Sequence, residues 1–218
     1  MMIDPITTLN IMINGMLIGI IASAPMGPVG VLTVRRTLNK GLWFGFATGV
    51  GAALSDLIYA TITLWGMSMV LEWVEKPSTL FYLKLGGSIL LFFFGWYTLR
   101  SKPSQVPAGK NRGSLMSNMF TGFLVTLSNP LIILLFLALF ARFEFVVIDQ
   151  PVEQFIGIIS LLGGALLWWG GLTHMINKVR NSFQMQTIGR INRIIGIVVM
   201  VASVVGVIFT LCFKLNYI

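Results

Sequence analysis

"ASAPMGPVG", residues Ala22 to Gly30, closes an apolar run otherwise long enough to cross a bilayer. Two prolines and two glycines in nine residues forbid a regular helix there. Proline has no backbone donor, and its ring collides with the carbonyl four residues back. In hydrocarbon a freed carbonyl has no water to turn to, so broken backbone at membrane depth must be packed in protein or line a watery cavity. The stretch therefore separates two kinds of helical bundle: one with a simple kink or end near Pro28, and one built around a polar site.

The rest of the chain establishes that a bilayer is the solvent. Of 218 residues, 56% are hydrophobic and 10% charged, with a mean hydropathy of +0.88. Globular domains carry about 25% charged residues, and a soluble protein of this length could not bury so much apolar surface. The net charge of +8 would suggest nucleic acid in a soluble chain. Here the basic residues fall in short runs between apolar segments, which is a topology signal, and no nucleic-acid partner is expected. The single cysteine, Cys212, excludes an internal disulfide, a Cys-x-x-Cys pair and a thiolate cluster. The single histidine, His174, argues against a His-based zinc site, and no metal or cofactor is expected. The start "MMIDPITTLN" lacks a basic leader, so the first apolar segment is expected to remain in the mature protein.

Six segments are long and apolar enough to span, at 6–32, 42–70, 79–99, 116–141, 152–175 and 193–213. The predicted fold is an all-α integral membrane protein of six transmembrane helices in one domain, 1–218. Its polar linker at 100–115 divides it into halves 1–100 and 115–218. Arg35, Arg36 and Lys40 lie in the first connection. Arg100, Lys102, Lys110 and Arg112 lie in the third, and Lys178, Arg180, Arg190 and Arg193 in the fifth. Lys76, Arg142 and Lys214 alone fall on the other side, where Asp4, Glu72, Glu75, Glu144, Asp149 and Glu153 gather. The positive-inside rule then predicts three cytoplasmic basic loops and both termini outside.

Three spans per half would make the halves antiparallel, an arrangement recurrent in secondary transporters. Span 1 reads "NGMLIGIIASAPMGP" and span 4 "TGFLVTLSNP", each running from glycine through apolar residues and serine to a proline. Spans 3 and 6 open with "YLKLGGSILL" and "INRIIGIVVM", each placing a basic residue shortly before glycine. Spans 2 and 5 share only glycine-rich character. A 3+3 inverted-topology repeat is predicted. Its interrupted helices, at Pro25-Met26-Gly27-Pro28 and Asn129-Pro130, would offer carbonyls and half-helix dipoles to a small polar solute.

Asp56 stands at the middle of span 2. A charge there costs roughly 2.5–3.5 kcal/mol on insertion scales and normally faces a cavity or a partner. Gly41, Gly45, Gly49 and Ala53 precede it at four-residue spacing, a small-residue face expected to turn with Asp56 to the bundle interior. Asp56 either binds a cationic group or carries a coupling proton, or else it fastens helices as a paired or neutral group. Tyr59, nearly one turn on, could line the same cavity. Lys84 enters span 3 by five residues, about 7–8 Å; it either snorkels to the outer interface or binds a carboxylate. His174, Trp168, Trp169, Trp43, Trp73 and Trp96 read as interfacial residues.

These motifs resemble the lysine exporter (LysE/RhtB) superfamily of bacterial amino-acid and metabolite exporters. The residues carrying the likeness are "APMGPVG", "GVGAALSDLIY", "YLKLGGSILLFFFGWYTLRS" and "GFLVTLSNP", in order and across essentially the whole chain. Met26, Ser55 and Leu131 depart from the family pattern. The resemblance implies a non-enzymatic secondary exporter of amino acids or related metabolites in the bacterial inner membrane, coupled to protons or another ion. It carries Pro25, Gly27, Pro28, Asp56, Lys84, Asn129 and Pro130 over as functional positions. The rival reading is an inorganic cation exporter of a related six-helix family. That would want several clustered oxygen or soft ligands. Glycine-rich faces on spans 2, 3 and 5 serve internal packing or a homodimer equally well.

Overall fold

Pro28 cannot continue a helix begun before it, because its ring would meet the Ala24 carbonyl. In the computed structural model α1 (Pro5–Ser23) accordingly stops short of it, and α2 (Pro28–Lys40) begins on it. Gly27 is the extended N-cap, and Pro28 takes the first turn, where no donor is missed. The structure describes residues 5–73, 77–101, 113–147, 150–181 and 186–215, all its regular elements being helices. Most of the linker expected at 100–115 lies outside these residues, as do Asp4, Glu75, Lys76 and Asp149.

The second break follows the same logic. Pro130 would collide with the Thr126 carbonyl, so α5 (Leu115–Leu127) ends and α6 (Leu131–Phe143) departs at 76°. The remaining helices are α3 (Leu42–Trp73), α4 (Pro77–Arg100), α7 (Pro151–Lys178) and α8 (Gln186–Leu215). Five helices are long and apolar enough to cross a membrane, and the bent pair α5–α6 makes a sixth crossing if counted as one. The continuous span expected at 6–32 is corrected to α1 alone. Residues 28–40 form a separate helix, and its Arg35 and Arg36 turn the apolar run amphipathic. The last span begins earlier than expected, so Arg190 and Arg193 belong to the first turns of α8 rather than to a loop.

α3 is the central element: 61% of its membrane-crossing window is buried, against 22–28% in the other single-helix spans. It packs against α2, α5, α6 and α7, while α1 packs on α7 and α4 on α8. Glycine sets these approaches. A Cβ at Gly19 would run into the Leu161 carbonyl, and one at Gly164 into the Met16 carbonyl. Gly122 faces the Thr48 carbonyl and Gly51 that of Met119 in the same way. Gly95 and Gly196 face each other's carbonyls where α4 crosses α8. Such small-residue seams let helices associate in lipid, where apolar area alone gives no preference for protein over tails. Gly41 has another role than the predicted stripe: it joins α2 to α3 at φ 106°, a left-handed backbone that disfavours any side chain.

Gly122→Val should therefore destabilise the bundle by about 2–3 kcal/mol through overpacking against backbone. Gly171→Ala, where an added Cβ meets nothing within 4 Å, should be neutral or stabilising by up to about 1 kcal/mol. Thermal unfolding of both variants in detergent checks the contrast; equal behaviour would deny the seam its role.

Candidate solute cavity at the helix breaks

Both breaks and Asp56 meet in one cavity of about 350 Å³. Pro25, Gly27 and Pro28 come from the first break and Asn129 from the second, while Asp56 reaches it from α3. Pro130 is not a wall residue; it sits between two that are, Asn129 and Leu131, as the N-cap of α6. Asp56 is 6% exposed and, among the described residues, makes no hydrogen bond or ion pair with protein. The interior orientation expected from the small residues before it is what the structure has. Ser23, Thr126 and Trp169 also contribute to the wall, and their hydroxyls and indole N–H have no hydrogen-bond partner among the described residues. Orphaned polar groups at a cavity call for water or a polar ligand.

The broken backbone is held by side chains from the opposite half of the chain. Asn192, on α8 and 1% exposed, accepts from the Met26 N–H at 2.9 Å and donates to the Met26 carbonyl at 3.1 Å. The same Nδ2 donates to Ser101 Oγ at 3.3 Å. Tyr59, on α3, donates its hydroxyl to the Leu127 carbonyl at the end of α5. Asn129 turns its own Oδ1 to the Leu131 N–H at 3.3 Å. Tyr59 is thus a strut of the second break and not part of the cavity wall. Sequence reasoning missed Asn192 altogether. It stands between Arg190 and Arg193, just before the expected span, and nothing there says that its partner lies 166 residues away.

Two other expectations change. Lys84 is not brought to the cavity. Its Nζ pairs with Glu144 Oε1, and Glu144 closes α6 at φ 50° in the left-handed region. The partner stands on the neighbouring α6 because α4 packs there. A partly exposed pair of this kind contributes about 0–1 kcal/mol. Lys84→Gln is expected to leave stability within about 1 kcal/mol of wild type, checked by thermal unfolding in detergent; a larger loss would give the pair a weight that its exposure does not predict. Trp169, read as interfacial, is instead buried at 2% and lies against Gly49, whose missing side chain makes room for the indole. Trp43 and Trp96 are exposed, as expected of interfacial rings.

At the opposite end of the bundle from Lys84, Arg36 of α2 donates to Thr48 Oγ1 of α3 and to the Asn118 carbonyl of α5, each at 2.8 Å. The short helix following the first break is thus fastened to both halves.

An apolar helical chain whose two helix breaks and midspan acid share a cavity is a multi-pass membrane protein. Residues 20–210 match the LysE type translocator family, and the chain belongs to it. It is similar to "Putative amino acid efflux protein YcgF" of Bacillus subtilis (strain 168), 30% identical over 134 residues, covering 61% of this chain and 63% of that protein. It is also similar to "Putative amino-acid transporter YisU" of the same organism, 23% identical over 124 residues and 56% of each chain. "Uncharacterized membrane protein YahN" of Escherichia coli (strain K12) is 27% identical over 113 residues, half of each chain. These matches span from half to 63% of the relatives' lengths. No solved structure matches the chain.

Proposed function

We propose that the chain exports amino acids or closely related metabolites by secondary active transport, through alternating access to this cavity. One observation carries the reading: an acid without a protein partner among the described residues shares a small cavity with both helix breaks. At about 350 Å³ it falls at the lower end of the roughly 300–1,000 Å³ typical of small-molecule sites. A substrate ammonium would face Asp56, and its carboxylate the uncapped N-terminus of α2. Protonation of Asp56 would release the ammonium and so couple export to the proton gradient. The relatives named for amino acid efflux and transport support the substrate class.

The packing also supports the inverted repeat. α1 meets α7 as α5 meets α3, while α3–α7 and α4–α8 join like to like. Two such halves rocking about the breaks would open the cavity to either side in turn. The basic ends of the helices would face the cytoplasm and the termini the outside. Among the described residues no three His, Cys, Asp or Glu side chains come together, and a lone carboxylate favours an organic ammonium over a metal ion.

The test is efflux from preloaded cells lacking their own exporters, with a panel of amino acids, and divalent metals as comparison. Faster loss of an amino acid, abolished by an uncoupler, is expected. Loss of a metal alone would replace this reading with the ion exporter.

A further inference from the structure

Among the described residues one cationic residue lines the cavity, and it is not the lysine that the sequence suggested. Arg100, the last residue of α4, lines the cavity beside Ser101. Ser101 Oγ is bonded to Asn192, and Asn192 to both polar groups of Met26. This chain of hydrogen bonds draws the end of α4 to the first break, next to the start of α2. The Arg100 guanidinium lies 4.4 Å from the centroid of the Trp96 ring. Stacking occupies one face of the guanidinium and leaves its edge, with its fork of N–H donors, available to an acceptor. Among the described residues no protein acceptor takes those donors.

Beyond Arg100 the wall continues into a second groove of about 820 Å³, lined by Arg100, Ser101, Arg190 and Arg193 and by no carboxylate. Arg190 and Arg193 occupy the first turns of α8. Among the described residues the only acid in either wall is Asp56. Three arginines therefore line the groove, and a single carboxylate lines the adjoining cavity.

We propose that Arg100 binds the carboxylate of the transported solute and that Arg190 and Arg193 form its approach. The substrate class is then a zwitterion whose free carboxylate stays at Arg100 while its ammonium faces Asp56. This rests on the solute-cavity reading above and refines it. A guanidinium fork recognises a carboxylate through two parallel, charge-assisted bonds, which a carboxamide cannot reproduce. Focused positive potential at a groove raises the local concentration of anionic groups and is screened by salt.

The experiment uses the full chain in liposomes loaded with the twenty common amino acids together, or with their α-carboxamides, each solute quantified by mass spectrometry. The carboxamide of any exported amino acid is expected to leave roughly 10-fold more slowly or worse. Arg100→Gln should bring the acid down to the carboxamide rate without slowing the carboxamide, and Arg100→Lys should restore part of the difference. The Arg190→Gln, Arg193→Gln double variant should raise the half-saturating load roughly 3- to 10-fold at low salt, with the maximal rate kept and the effect fading as salt rises. Equal export of acid and carboxamide by wild type overturns the assignment and leaves the cavity reading standing. So does an Arg100→Gln variant that loses both solutes alike, since that marks a structural residue. Absence of export for every amino acid overturns the proposed function together with this refinement.

Discussion

Asp56→Asn is expected to reduce export about 100-fold or more, while the variant folds at least as stably as wild type. The two signs have one cause. Asp56 is 6% exposed and has no protein partner among the described residues. Its carboxylate therefore meets the desolvation cost of membrane burial with nothing in the protein to offset it. The neutral amide of nearly the same shape removes that cost, which should raise stability by about 1–3 kcal/mol. It also removes the group that faces a substrate ammonium. Losing one partner of a desolvated charge pair costs about 2–5 kcal/mol, and about 2.7 kcal/mol already corresponds to a factor of 100. Opposite changes in activity and stability are what a functional acid produces. A helix fastener would lose both together. Efflux and thermal unfolding of the same preparation decide the matter; unchanged export with unchanged uncoupler sensitivity would remove Asp56 from the mechanism.

Asn192→Leu is expected to give the largest loss of folded protein among side-chain truncations at the breaks. Leucine fills a similar volume but satisfies neither the N–H nor the carbonyl of Met26. Each buried backbone group left without a partner costs about 1–3 kcal/mol, so the pair should cost about 2–5 kcal/mol. Asn192→Asp keeps the acceptor for the Met26 N–H and should fall between Leu and wild type. Tyr59→Phe opens the matching bond at Leu127 and should cost about 1–2 kcal/mol. Unfolding of Asn192→Leu at the wild-type temperature would mean that water enters the first break and serves Met26 as well as the amide does.

Much of the architecture was legible without coordinates because it follows from local chemistry. Pro25, Pro28 and Pro130 cannot continue a helix begun before them, so the interruptions at both sites are readable from the letters alone. The midspan position of Asp56 and the small residues before it were enough to turn it inward. What was misread depended on neighbours. For Lys84 the sequence leaves snorkelling and substrate binding open, because it does not show Glu144, sixty residues on, closing α6 beside it. Trp169 was placed at the interface because an indole near a span end belongs there, unless a glycine on another helix opens a recess, as Gly49 does. Arg190 and Arg193 were counted as loop charges because the start of α8 carries no proline to mark it.

The sequence by itself determined that this protein lives in a bilayer, how many apolar segments it offers, where its helices break, and that one acid is buried among them. Those properties come from transfer free energies and ring sterics, which act within a few residues. The tertiary structure alone decided that both breaks and Asp56 share one cavity, that Asn192 and Tyr59 cross between halves to hold the broken backbone, and that Arg100 rather than Lys84 lines the wall. A hydrogen bond between residues 166 positions apart leaves no periodicity in the chain. It exists only once packed helices have brought the two groups within about 3 Å of each other.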